Sequence, residues 1–549
     1  MKKIEGDKRR HIVFSDEDRG QYKRRLSPSI FLYLLVFSLP LVAQDAPQVP
    51  SLVVNIVIDQ LRSDYLDAFT PLYGQGGFQR LKEKGRFYSQ AEYPFSSPDC
   101  ASAMACLMTG TSPYVNGIVG NHWLDRQSLL PIFCVDDETY PGIHTSEKSS
   151  PKHLAVSTIS DELKISSEGK SVVYSIAPTR EAAVLGAGHA GNEAFWLDDW
   201  TGKWAASCYY DDYPDWATEY DVRSSLGSRI DDIQWEPLND QVANFQYFVS
   251  SGGKKAKPFS HKFNSNRKFR EFKATACVND EINLFAKAAI ERAGLGTDAA
   301  TDMLTLTYYA GAYDHQSAMQ YGMEMQDTYA RLDRQLEEIF DFVEQKVGME
   351  KTLFVVTSTG YFESEEMMDL SKYRIPTGMF SITKAQALLN MYLIAVYGPG
   401  NYVETAIDNQ IYLNLKLIES RNLILAEVLE RCSAFLIQLS GVKDVYTSQR
   451  LALGAWTPGI SKLRNAYNPK CSGDILIQVS PGWLLNNEDT HEQSLSRESY
   501  LSFPLFFMGA GIVPEKVRIP VTIDQVAPTI AQTLRIRAPN ACPQAPLNY

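Results

Sequence analysis

The sequence predicts an α/β protein built on a largely parallel central sheet flanked by helices, with inserted cap regions between the core elements. Three observations carry that prediction. Short apolar runs rich in β-branched residues recur along the chain, the composition of strands buried on both faces. Helical patterns separate them, the alternation that winds a parallel sheet with helices. Of the 549 residues 44% are hydrophobic and 21% charged, ample apolar material for a large core.

The first strand is Leu52–Ile58, with Asp59 at its carboxyl end, where open α/β sheets place their ligands. Further strands are expected at 172–176, 303–309, 353–357, 475–479 and 503–508. Helices are expected at 77–84, 101–108, 160–163 and, longest, 318–347, where Met319 and Met323 are spaced as a packing pair. These elements divide the chain into a core of residues 51–199, 296–364 and 471–549. Residues 200–295 break the rhythm with Trp, Tyr, Asp and Gly-rich loops and read as an inserted cap. Residues 365–470 read as a second lid, with helices near 384–397 and 422–440.

Charge and cysteine usage narrow the function classes. Acidic residues outnumber basic ones by 65 to 53, and after residue 30 only Lys254–Lys273 mixes Lys and Arg densely, so nucleic acid is not an expected partner. The eight cysteines, at 100, 106, 134, 208, 277, 432, 471 and 542, lack the paired spacings of a zinc knuckle or a CxxC motif. Residues 1–43 read as a secretory signal peptide: Lys23, Arg24 and Arg25 precede the apolar run Ile30–Ala43, and 44–50 form a linker. That run is shorter than the roughly 20 residues needed to cross a bilayer, so no spanning helix is expected in the mature chain. Removal of residues 1–43 leaves 44 basic against 60 acidic residues. The expected location is the periplasm or the cell surface.

Seven stretches then carry a resemblance: VVNIVIDQLRSDYL (53–66), GGFQRLKEKG (76–85), MTGTSPYVNGIVGNHWLDR (108–126), AGHAGNEAFWLDDWTGKW (187–204), DTYARLDRQLEEI (327–339), SGDILIQVSPGW (472–483) and FPLFFMGAGI (503–512). In this order they resemble the alkaline phosphatase superfamily, in its branch of secreted bacterial phosphatases and type I phosphodiesterases. The resemblance implies two zinc ions at the carboxyl edge of the sheet, flanking a phosphoryl group and activating a Thr or Ser nucleophile at a helix N-terminus.

Carried over residue by residue, the implied centre is largely substituted. Asp59 matches the first metal ligand, but the nucleophile slot holds Cys100, without the C-x-P-x-R pattern of sulfatases. The Asp-x-x-x-His ligands fall on Ala312 and Gln316, beside an adjacent Asp314 and His315, and the Asp-His pair falls on Thr359 and Gly360. The last histidine aligns with His491, followed by Glu492 rather than Gly. Of the phosphate-binding cations only Arg180 remains, and Asn116 occupies the slot of a histidine before Gly117 and Ile118. His122 and His189 read as structural histidines holding loop backbone; Asp136–Asp137 and Asp198–Asp199 read as cap or solvated residues.

The expectation is therefore an exported alkaline-phosphatase-fold protein with a degenerate active site and no cofactor, acting as a binding or envelope-assembly component. An envelope protein or a glycan is its expected partner, and a small anion its crevice ligand. The alternative is a metal-dependent phosphoric ester hydrolase with a rearranged or single-metal zinc site around Asp59, with His491, Asp314 or His315.

Overall fold

The structure is a computed structural model and describes residues 49–245, 247, 258–313, 321–361, 376–454, 458–487, 492–495 and 502–548. The main sheet is built from β1 (Leu52–Asp59), β2 (Arg86–Glu92), β3 (Val173–Ala177), β4 (Glu193–Leu197), β5 (Trp204–Ser207), β6 (Asp302–Tyr309), β7 (Thr352–Ser358) and β8 (Phe503–Gly509). Their order is β2-β8-β7-β1-β6-β3-β4-β5, closed at the edges by Glu515–Val517 and Gly142–Ile143. The five central strands β7, β1, β6, β3 and β4 run parallel. The flanks turn antiparallel at β8, β2 and β5.

Among the helices that cover this sheet are α1 (Cys100–Thr109), α2 (Arg180–Ala187), α3 (Cys277–Ala293) and α4 (Gly322–Lys346). β1 shows why both faces are covered, since alternate side chains feed different cores. Leu52, Val54, Ile56 and Ile58 pack with α3 and α4, whereas Val53 and Val57 pack with α1 and α2. Two of the quoted motifs meet in this packing. Asp333 of α4 accepts from the backbone N–H of Phe78 and of Gly74, both at 2.7 Å. A Cβ on Gly77 would lie 2.1 Å from the Asp333 carbonyl oxygen, so that loop requires glycine.

Two expected boundaries are corrected. The segment 200–295 is not wholly an inserted cap, because Trp204–Ser207 is a strand of the main sheet and Cys277–Ala293 a helix on its face. The physical reason is aromatic packing: Trp204, 1% exposed, stacks on Phe285 of α3 at 4.3 Å, joining the two ends of the segment within the main core. The intervening chain is tied to α4 through Asp327, which accepts from Trp235 Nε1 and from the Leu238 N–H, both at 2.6 Å.

The second correction concerns Ile475–Val479, which belongs to a separate antiparallel sheet with Val403–Ile407, Gln410–Leu413 and Val442–Thr447. Its alternating burial, unlike the unbroken burial of β3, marks a strand with one covered face. With helices Ile382–Tyr397 and Leu425–Leu436 it forms its own apolar core. The second inserted region is thus a small α/β body that reaches past residue 470. The signal-peptide segment and His491, Gln316, Asp314, His315 and Met319 lie outside the described residues. No described helix is long and apolar enough to cross a membrane.

Candidate active site

The carboxyl ends of β1, β6 and β7 converge as the parallel register requires: Asp59 pairs with Tyr309 of β6, and Ile58 with Ser358 of β7. Asp59 Oδ1 accepts from the Thr359 hydroxyl at 2.9 Å and Oδ2 from the Tyr361 hydroxyl at 3.4 Å. Thr359 Oγ1 in turn accepts from the Gln60 N–H at 3.1 Å. Gln60 holds a left-handed φ of 62° to present that N–H, a conformation that disfavours side-chain-bearing residues.

The neighbouring slots are filled. Gly360 has a φ of +71°, and a Cβ there would lie 2.6 Å from the Phe503 ring and 2.8 Å from the Tyr93 ring. Tyr93 is pinned by donating its hydroxyl to the Ser358 carbonyl at 3.0 Å. Ala312 is buried, with its carbonyl accepting from the Tyr309 hydroxyl at 2.8 Å. The residues described at these slots therefore do not fit a two-zinc centre. They offer one carboxylate, a hydroxyl already donated to it, a methyl, and a glycine under two aromatic rings. Among the described residues no group of three His, Cys, Asp or Glu side chains is placed to hold a metal ion.

Cys100 opens α1 and is 5% exposed. Burial pushes its thiol well above the ordinary range, and the charges of Asp59, Glu181 and Asp99 push it in the same direction. The structure thus brings Cys100 and Asp59 into one electrostatic neighbourhood, as the resemblance implied, but in a form that opposes a thiolate. Asp99 caps the helix, accepting from the Ser102 N–H at 2.9 Å and the Ser102 hydroxyl at 2.6 Å. It also accepts from the Asn121 N–H at 2.5 Å, while Asn121 Oδ1 accepts from the Ala101 N–H at 3.3 Å.

Asn116, expected to contact a ligand, is fully buried and serves its own loop. It donates to the Thr111 carbonyl and accepts from the Ile118 N–H, both at 2.9 Å. The amide beside Cys100 is instead that of Asn121, five residues later, which sequence reasoning missed. Its signal was the Gly120-Asn121 turn before His122-Trp123. Arg180 stands at the start of α2 but is paired with Asp136 at 2.9 Å and lies 3.9 Å from Glu147, so its charge is locally balanced.

The other assignments follow from their partners. His189 is structural: its Nε2 meets the Leu154 carbonyl at 3.0 Å and its Nδ1 the Asp161 carboxylate at 2.9 Å. Asp198 caps a turn by accepting from the N–H groups of Trp200 and Thr201.

This arrangement of sheet, helix N-terminus and carboxylate has a match in sequence. The profile of the type I phosphodiesterase / nucleotide pyrophosphatase family covers residues 53–501. The chain belongs to that family. It is 29% identical to alkaline phosphatase PafA of Elizabethkingia meningoseptica, over 95% of this chain and 99% of that one. It is 28% identical to alkaline phosphatase PhoV of Synechococcus elongatus, over 96% of each chain. The crystal structure of wild-type PafA superposes with a TM-score of 0.79, covering 92% of this chain and 99% of that chain. The expected superfamily and fold are thereby established.

Proposed function

We propose that this member of the phosphodiesterase family is an exported protein whose crevice binds a ligand without running two-metal phosphoryl transfer. The observation that carries the reading is the packing of Gly360 beneath Tyr93 and Phe503 beside a Thr359 hydroxyl already given to Asp59. Two-metal hydrolysis needs a clamp on both the attacking and the leaving oxygen, and loss of even one such stabilising element costs several kcal/mol. Asp59, Asp99 and Glu181 surround Cys100 while Arg180 is paired, which supports a neutral polar ligand such as a glycan over a small anion. The partner is an envelope glycan or protein.

A second reading is favoured by the comparisons. PafA and PhoV, which match almost end to end, are named alkaline phosphatases, which supports phosphoric ester hydrolysis through a rearranged or single zinc site anchored on Asp59. Elemental mass spectrometry of the mature chain after equilibration with zinc, paired with turnover of phosphomonoesters and phosphodiesters, separates the two. The first reading expects no stoichiometric zinc and no turnover. One or two zinc ions lost on Asp59→Ala, with turnover lost alongside, would establish the second.

A further inference from the structure

Residues 535–548, near the chain's end, form no helix or strand and fold back onto the main body. Scattered hydrogen bonds hold them there. The Leu547 N–H donates to the Thr529 hydroxyl at 2.8 Å, Tyr88 donates its hydroxyl to the Asn548 carbonyl at 3.2 Å, and the Asn540 N–H donates to the Ser157 hydroxyl at 2.8 Å. A chain end held by such contacts, with no ladder or helix to share the load, is where a fold frays unless something ties it down.

Between these anchors Cys542 turns inward, its thiol donating weakly to the Asp524 carbonyl at 3.9 Å. Its sulfur fills the space that a side chain on Gly110 would need: a Cβ there would lie 2.6 Å from Cys542 Sγ and 3.3 Å from Cys542 Cβ. Gly110 closes α1 with a φ of 65°, and its N–H donates to the Cys106 carbonyl at 2.9 Å, one turn earlier. A helical side chain leans over the turn that precedes it. Cys542 Sγ, standing where a side chain at 110 would stand, is therefore set over the turn of α1 that carries Cys106. A second observation agrees. Cys106 is fully buried, and the charges that reach its thiol are those of Asp524 and Cys542.

We infer that Cys106 and Cys542 are a disulfide-forming pair that ties the C-terminal segment to α1 when the chain folds under oxidising conditions. The structure holds both as thiols. Bonding takes a Cβ separation of about 3.8 Å, and the segment that carries Cys542 has no helix or strand to break in adjusting to it. The tie closes on the helix whose first residue is Cys100.

The chemistry is thiol–disulfide exchange with a small disulfide of the glutathione class. One protein S–S bond forms, the S–S bond of the oxidant breaks, and the two protons and two electrons given up by Cys106 and Cys542 leave on two small thiols. Exchange needs a thiolate, and burial pushes the Cys106 thiol well above its ordinary range and raises that of Cys542. The packed thiols are therefore slow, and the bond forms while the C-terminal segment is still open. Only the oxidising compartment rests on the exported reading above. The pairing itself is decided in vitro, where location plays no part.

The mature chain, refolded in a glutathione redox buffer until its cooperative thermal melt returns, is alkylated in denaturant and mapped by peptide mass spectrometry without reductant. A peptide pair joined at Cys106 and Cys542 is expected. Carboxypeptidase digestion of the native protein reads the tie: trimming is expected to stop short of Cys542 in the oxidised chain. It should pass that residue at least about tenfold faster in chain refolded with dithiothreitol and in Cys542→Ser, a change at a half-buried residue that spares the core around Cys106. Alkylation of both cysteines in the glutathione-refolded chain, or a linkage of either to another cysteine, overturns the pairing. Equal trimming of oxidised and reduced chains overturns the tie.

Discussion

Thr359 donates its hydroxyl to Asp59 Oδ1 at 2.9 Å while accepting the Gln60 N–H at 3.1 Å, so one hydroxyl locks the carboxyl end of β1 to that of β7. Removing it strips the half-buried Asp59 carboxylate of one donor and takes an acceptor from the N–H of the buried Gln60, a cost in a low-dielectric interior. Thr359→Val is expected to destabilise the fold by about 1–3 kcal/mol by urea denaturation, and Thr359→Ser to recover most of the loss.

The packing around Gly360 makes rebuilding the family's ligand pair a steric problem as well as a chemical one. Thr359→Asp with Gly360→His alone is expected to melt lower than wild type and to gain no zinc, because the imidazole must displace the Tyr93 and Phe503 rings. Adding Tyr93→Ala and Phe503→Ala opens that space at a cost of several kcal/mol in core packing. Zinc titration by calorimetry on the first variant decides the point; tight binding there would show that the rings yield readily.

Cys100 is expected to resist alkylation, since burial and three carboxylates hold its thiol protonated. Timed iodoacetamide labelling at pH 7.5 read by peptide mass spectrometry should modify the exposed Cys208 first, and Cys100 only on unfolding. Early labelling of Cys100 would mark it as a poised nucleophile.

His189 and Asp161 form a pH-dependent clamp between α2's C-terminal loop and the helix Ile159–Ser166. Burial lowers the His189 pKa, but the hydrogen bond and charge of Asp161 outweigh it and leave it raised. Burial raises the Asp161 pKa, yet the His189 bond and backbone N–H groups leave it lowered. The histidine's contribution is whole below its ordinary value of about 6.5 and is lost as pH rises through the raised one; the aspartate's is whole above about 3.9 and lost as pH falls through the lowered one. His189→Gln should therefore lower Tm more at pH 5.5 than at pH 9, and an equal loss at both would refute the clamp.

Glu193 on β4 is fully buried, with Oε1 accepting from the Ala194 N–H at 3.1 Å and Oε2 lacking a hydrogen-bond partner among the described residues. Burial pushes its carboxyl up to about 9, so the native state keeps a proton that the unfolded chain releases. Stability is lost as pH climbs from about 4.5 towards 9. Glu193→Gln is expected to gain about 1–3 kcal/mol at pH 8 and little at pH 4, measured by denaturation at both.

Much of the architecture is legible in the sequence alone. Unbroken apolar runs such as Leu52–Ile58 identify strands buried on both faces because parallel strands leave no polar side. That Cys, Thr and Gly rather than metal-ligand residue types stand near Asp59 is legible too, since a residue type alone states whether it can ligate a metal. Tertiary structure decided what occupies their places. That the Tyr93 and Phe503 rings lie over Gly360, that Asn121 rather than Asn116 stands beside Cys100, and that Ile475–Val479 leaves the main sheet all depend on contacts between residues far apart in sequence. A linear pattern records which side chains a segment needs to bury, but the partner that buries them is chosen only when the chain closes on itself.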